Sequence, residues 1–125
     1  MLFIRMIFAW WHSATFGTLW TTLFTGSFVG TDANGNRYYQ SKDNRRWVIY
    51  SGLVEASLVP AEWHGWLHHT FAEPPTTAPF KLKAWEKDHR PNLTGTDQAY
   101  RPDGSLLAAG LRPRATGDYQ AWKPE

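Results

Sequence analysis

Residues 45–69, RRWVIYSGLVEASLVPAEWHGWLHH, carry three tryptophans within twenty positions and limit what this chain can fold into. The run opens as a strand. Trp47 and Ile49 lie on one face, Val48 and Tyr50 on the other, so both faces need apolar cover. Ser51-Gly52 breaks the run. Pro60, with a fixed φ and no N–H, suits the first turn of a short helix. Along that helix Trp63, Trp66 and Leu67 fall at i, i+3, i+4 and share one face. So short a segment cannot hide this much aromatic surface in itself. Either the rest of the chain closes over it, or another protein does.

Upstream, Phe16, Leu19, Trp20, Leu23 and Phe24 follow a helical period, with Thr18, Thr21, Thr22 and Thr25 on the other face. Residues 2–11, which include Trp10 and Trp11, are apolar nearly all round, and Arg5 and His12 mark one polar edge. Gly17 is a candidate bend or break between the halves. A transmembrane span needs about 20 mainly apolar residues in sequence, and Arg5, His12, Ser13, Gly17 and the threonines interrupt here. A signal peptide needs small residues after its apolar core, where this chain has two tryptophans. The leading expectation is a helix packed between its own sheet and a partner protein. Contact with a membrane surface through residues 2–24 comes next, although the polar face is threonine and not lysine.

Residues 28–39 read as a hairpin around Asn34-Gly35, with a type I′ turn expected. Asp32, Asn34 and Asn36 superficially resemble a calcium loop, but the glycine comes too early and no closing Glu follows. A polar connection, 40–44, leads to the third strand. From residue 74 the character changes. Seven of the eight prolines lie there, and no window shows sustained periodicity. Phe80, Trp85, Leu93, Tyr100, Leu106, Leu107, Leu111, Tyr119 and Trp122 occur at irregular intervals, as in a strap whose anchors each fill a separate pocket on another protein.

Composition narrows the chemistry. Cysteine is absent, which removes disulfides, iron–sulfur ligation, thiol catalysis and cysteine zinc sites together. Thirteen Lys and Arg oppose eleven Asp and Glu without a basic stripe, which argues against nucleic-acid binding. His64 and His68 stand at i, i+4, the spacing of zincin ligands, but Gly65 occupies the position of the catalytic Glu. A third ligand would require Glu62, Glu73 or His89 to fold back. Glu55 and Glu62 form no recognisable acid–base pair, and no phosphate loop, G-x-S-x-G or nucleotide fingerprint is present. Asn92-Leu93-Thr94 is a glycosylation sequon, relevant only to a secreted protein. No cofactor and no metal are expected.

The segments FVGTD (28–32), GNRYY (35–39), RRWVIY (45–50), EAS (55–57) with Pro60, and EWHGWLH (62–68) resemble one family closely. The match continues through NLTGT (92–96), YRP (100–102) and TGDYQAW (116–122), so it covers nearly the whole chain in order. The family is the small accessory subunit of proton-pumping NADH:ubiquinone oxidoreductase, respiratory complex I. Its eukaryotic form is the 17.2 kDa subunit, and a related protein, mimitin, acts as an assembly factor. The short length and the tail look like the alphaproteobacterial form. Leu19-Trp20-Thr21-Thr22 departs from the family in lacking basic residues. The resemblance implies a subunit with no redox centre, held on the peripheral arm near the membrane junction. It also implies the cytoplasmic side of the inner membrane, beside the ferredoxin-like subunit that carries two 4Fe–4S clusters.

The fold expected is α+β: an N-terminal amphipathic helix within residues 1–26, a small three-stranded antiparallel sheet plus a short Trp-rich helix in 27–73, and a long extended irregular tail, 74–125. Trp47, Trp63, His64 and Trp66 are the expected centre. Trp10, Trp11, Trp85, Tyr119 and Trp122 are the expected anchors, and none acts on a substrate. A free peripheral membrane protein and a His64/His68 metalloenzyme are the competing readings.

Overall fold

The computed structural model describes residues 14–108 and 110–125. The expectations for Trp10, Trp11 and the rest of residues 1–13 lie outside the described residues. The chain divides into two compact units, Met1–Asn92 and Leu93–Glu125.

In the first unit, helix α1 spans Phe16–Thr25. Its N-cap is Thr15, whose hydroxyl accepts the Thr18 amide at 3.3 Å. Gly17 lies within its first turn; the other half of the expected helix lies outside the described residues. Strands β1 (Ser27–Thr31), β2 (Arg37–Gln40) and β3 (Arg46–Ile49) form an antiparallel meander in the order β1-β2-β3. A single 3-10 turn, Ala56–Leu58, precedes helix α2, Ala61–Leu67. The helix, three strands and short helix of the sequence reading are therefore present. Pro60 caps α2 from outside the first turn, and its carbonyl accepts the His64 amide at 2.8 Å.

The first hairpin forms where Asn-Gly predicts, but with another turn. Gly35 N–H donates to Asp32 O at 3.1 Å, and Asp32 N–H donates to Asn36 O at 3.1 Å. Only Gly35, at φ 83, is left-handed there, whereas a type I′ turn requires positive φ at both central residues. This is the three-residue loop closed by a left-handed bulge residue. The Asp32 carboxylate decides the choice by accepting the Asn34 and Asn36 amides at 2.8 and 3.0 Å, which holds Asn34 out of the left-handed region. The second hairpin repeats the device. Asn44 N–H donates to Ser41 O at 3.1 Å, Ser41 N–H donates to Arg45 O at 2.8 Å, and Asn44 itself takes φ 60.

Register sorts the sheet into two faces. Tyr38 opposes Gly30 on β1 and Val48 on β3, and Gln40 opposes Arg46. Helix α2 packs on this face, and the core is Tyr38, Val59, Trp63 and Trp66 with Val29, Val48, Tyr50 and Leu67 around them. Tyr39 opposes both Phe28 and Trp47 on the other face. Val29 is an extra residue between Phe28 and Gly30, a bulge that brings Gly30 opposite Tyr38. Glycine is needed at that point. A Cβ on Gly30 would stand 2.8 Å from the Trp63 ring and 2.7 Å from the Thr76 methyl.

Beyond α2 the described residues form turns and extended chain without helix or strand. Residues 74–92 nevertheless make contacts within the first unit. Phe80 packs edge-on against Phe71 at 4.8 Å, His89 and Asn92 reach Ser57, and Thr76 lies over Gly30. The second unit is held locally. The Arg112 guanidinium donates to both Asp118 carboxylate oxygens, and Ala115 N–H donates to Asp118 Oδ2 at 2.7 Å. These bonds hold the Asp118 carboxyl below the usual carboxylate range, the Arg112 bond first and the Ala115 amide second.

Candidate interaction site

The expected centre separates into an interior and a surface. Trp63 and Trp66 are buried and perpendicular to each other, with centroids 5.7 Å apart. Trp63 stacks on Tyr38 at 4.0 Å and 8° between planes, so the tryptophan, the tyrosine and Gly30 form one layered block. These residues are the scaffold. Trp47 is half-buried on the opposite face, stacked over Tyr39, and His64 is exposed.

Three residues hold this scaffold together that periodicity alone does not reveal. Asp32 is the first. Its Oδ2 accepts the buried Tyr38 hydroxyl at 2.8 Å and the Asn36 side-chain amide at 2.9 Å, besides the two backbone amides on Oδ1. Asn36 in turn accepts Ser51 N–H at 3.1 Å, which ties the hairpin to the end of β3. Four donors thus occupy the carboxylate that resembled part of a calcium loop. Burial, then the bond to Asp32, raises the Tyr38 phenol above the usual tyrosine range.

Arg46 is the second. One guanidinium nitrogen donates to Trp66 O and Phe71 O at 2.5 and 2.8 Å, and the other donates to Ala72 O at 3.1 Å. The guanidinium carbon lies 4.8 Å from the centre of the Trp66 ring. A planar fork suits three carbonyls and a ring face together. The signal in the sequence was parity, since Arg46 shares a strand face with Val48 and Tyr50, the face that must be covered.

Gly65 is the third, and it accounts for the missing zincin glutamate. The ring of Phe71 occupies the space where a Cβ would stand. The chain reaches that position through a reversal after α2. His69, at φ 59, donates to Trp66 O at 3.1 Å, and Thr70 donates to Gly65 O at 2.9 Å. This is the Schellman pattern, with histidine in the left-handed position that glycine usually takes. His89 does fold back toward His64 and His68, and all three line one cleft. The His64 and His68 rings lie face to face at 4.0 Å, and His68 Nδ1–H already donates to His64 O at 2.9 Å. That stacking does not converge two lone pairs on one metal ion. Among the described residues no group of three metal-type side chains is assembled.

The surface is where the apolar excess lies. Helix α1 meets the sheet through threonine: the Thr22 hydroxyl accepts the Trp47 indole N–H at 2.9 Å. The other side of α1 is a ladder in which Trp20 and Phe24 are 4.6 Å apart, with Trp20 57% and Leu23 77% exposed. No residue of α1 is buried by the described residues of this chain, and its aromatic side faces away from the contact with Trp47. The physical reason is the indole N–H, which needs an acceptor that only the polar face supplies. Phe28, Tyr39 and Trp47 continue as an aromatic row across the outer sheet face, the first pair edge-on at 5.7 Å and the second stacked at 6.3 Å. Further on, Trp85, Tyr100, Leu106, Tyr119 and Trp122 are all exposed, Tyr119 to 86% and Trp122 to 81%. No helix among the described residues is long and apolar enough to cross a membrane.

Fold and surface together define the class: a small helix–meander–helix α+β scaffold followed by an extended, aromatic-bearing tail. Comparison with known proteins makes this specific. The family model for NADH ubiquinone oxidoreductase subunit NDUFA12 matches residues 26–124, and the chain belongs to that family. NADH dehydrogenase (ubiquinone) 1 alpha subcomplex subunit 12 of Bos taurus is 40% identical over 94 residues, 62% of this chain and 63% of the relative. An uncharacterized protein of Rickettsia prowazekii is 35% identical over 69 residues, 50% of this chain and 67% of its own length, in keeping with an alphaproteobacterial-type member. More distant is the mouse NADH dehydrogenase (ubiquinone) 1 alpha subcomplex assembly factor 2, 30% identical over 84 residues, 54% of this chain and 49% of the relative. The matched segments span about three-fifths of the length of the animal subunit 12 relatives.

Proposed function

We propose that this chain is a non-catalytic accessory subunit of proton-pumping NADH:ubiquinone oxidoreductase, respiratory complex I. In this reading it stabilises or helps assemble the peripheral arm near the membrane junction, on the cytoplasmic side of the bacterial inner membrane. One observation carries the reading: the division of labour among the aromatic side chains. Tyr38, Trp63 and Trp66 are consumed by the scaffold's own core, while Phe28 on the outer sheet face, Trp20 and Phe24 on α1, and Trp85, Tyr100, Tyr119 and Trp122 along the extended chain remain exposed. Apolar groups spread along extended chain suit recognition by separate pockets on a partner surface. The partner would be another subunit of the complex, the ferredoxin-like subunit with two 4Fe–4S clusters first. A membrane surface is a further contact, through residues 2–24. No residue of this chain takes part in electron transfer, and none binds a cofactor.

Pull-down of the tagged chain from native membranes, with its partners identified, tests the proposal. The ferredoxin-like subunit and other complex I subunits should co-purify, and fewer should do so after truncation at Asn92. Recovery of the chain alone, or with unrelated membrane proteins, would sink it. The assembly-factor reading is favoured by the similarity to the mouse assembly factor. The two separate by stage: a subunit stays in the mature, active complex, whereas an assembly factor is found on partial complexes and is absent from the finished one.

A further inference from the structure

The histidines at α2 are not used by the scaffold and are not explained by the accessory-subunit reading. With the segment that returns past α2 they line a cleft of about 700 Å³. Its floor is apolar, from Ala56, Val59 and Leu67; its rim is basic, from His64, His68, His89 and Arg90; no carboxylate lines it. Tyr50 adds a phenol, raised above its usual range by burial and therefore a hydrogen-bond donor at neutral pH. Glu55, the chain neighbour of Ala56, accepts the Ser57 hydroxyl at 2.6 Å. His89 also lines a second cleft, which holds the charged residues Glu62, Glu86, Lys87 and Asp88.

The proton positions follow from the partners. His68 Nδ1 faces His64 O at 2.9 Å, and His89 Nε2 faces Ser57 O at 2.8 Å. A carbonyl oxygen only accepts, so each of these nitrogens carries its hydrogen. What remains is His68 Nε2 and His89 Nδ1. Each is an acceptor in the neutral ring and a donor once the ring is protonated. Arg90 makes no ion pair among the described residues and supplies a fixed positive charge with forked donors.

We propose that this cleft is an oxyanion site for a phosphate group, held by His64, His68, His89 and Arg90, with the apolar floor free to take an attached organic moiety. Free phosphate and the headgroup of an anionic phospholipid share this chemistry.

The full chain is titrated with inorganic phosphate while histidine ring resonances are followed by NMR. The rings of His64, His68 and His89 should shift saturably, and His69, outside the cleft, should not. Sulfate, a tetrahedral oxyanion of similar size, should compete with phosphate for the cleft. R90Q and the double variant H64Q/H68Q, both at exposed positions, should lose most of the response with an unchanged tryptophan emission spectrum. In a second arm the chain is sedimented with phosphatidic acid vesicles and with phosphatidylcholine vesicles. Vesicle binding that R90Q abolishes, even without a free-phosphate response, supports the site with the lipid headgroup as its source. Uniform shifts that include His69, binding unaffected by the variants, or no response in either arm would overturn the proposal.

Discussion

Removing the Tyr38 hydroxyl tests the polar half of the core. Tyr38 is fully buried, and its O–H reaches Asp32 Oδ2 at 2.8 Å. A hydrogen bond to a charged acceptor contributes about 1.5–3 kcal/mol. Asp32 is half-buried and keeps the Asn36 amide at 2.9 Å, so the low end applies, and Tyr38→Phe should cost about 1.5 kcal/mol. Asp32→Ala is harsher. It leaves the Tyr38 hydroxyl buried without an acceptor, at about 1–3 kcal/mol, reduces the Asn36 side-chain amide to its 3.4 Å bond to Leu58 O, and removes the side-chain acceptor of the Asn34 and Asn36 backbone amides, at about 0.5–1.5 kcal/mol for each bond lost. A loss of about 4 kcal/mol approaches the whole margin of a domain this small. The double variant should be less destabilised than the sum, by about 1.5 kcal/mol, because the two changes remove one shared bond. Urea unfolding followed by tryptophan emission measures all four species, and Trp63, stacked on Tyr38, is a direct reporter. Alkaline pH gives an independent limb. The folded phenol lies above the usual tyrosine range, so the unfolded chain loses that proton first. Stability should hold below about pH 10 and then fall, by about 1.4 kcal/mol per pH unit for each such tyrosine. Tyr50, raised by burial, adds a second slope, so Tyr38→Phe should remove only part of the dependence. Additivity within about 0.5 kcal/mol, or an alkaline slope unchanged by Tyr38→Phe, would refute the Asp32–Tyr38 coupling.

Trp63→Ala should cost about 3–5 kcal/mol in the isolated chain, whereas Trp122→Ala, at an exposed position, should leave the unfolding midpoint unchanged and show its effect only as reduced co-purification with partners. Arg46→Lys should keep the charge but lose the fork to three carbonyls, at about 1–3 kcal/mol by chemical denaturation. His69→Gly should stabilise by about 1 kcal/mol, since the left-handed position no longer carries a Cβ; a drop in thermal midpoint would contradict the Schellman assignment. Hydrogen exchange of the free chain should show protection in the sheet and α2 and fast exchange over most of residues 93–125. Truncation after Asn92 should leave the midpoint in place, whereas truncation after Phe71 should lower it, because Ala72 and Thr76 touch Arg46 and Gly30.

Much of this protein is readable along the chain because its signals are local. Alternation in residues 45–50 and the i, i+3, i+4 spacing of Trp63, Trp66 and Leu67 depend only on backbone period, and both recur as observed faces. Asn34-Gly35 marked the first hairpin for the same reason. The turn type was not local: Asp32 accepts amides two and four residues ahead and so favours the three-residue loop over type I′. Period also could not say which side of α1 faces inward. That depended on the Trp47 indole N–H finding Thr22 across the chain, and the aromatic side was left outside. Gly30 and Gly65 look like ordinary breakers until the rings of Trp63 and Phe71 are seen in the places a Cβ would take. The residues from 74 to 92 carry no periodicity, and their contacts with Phe71, Ser57 and Gly30 come from shape and single hydrogen bonds between distant positions. Segments with a repeating face declare themselves in one dimension, whereas steric fit and isolated polar pairs exist only once the chain has closed on itself.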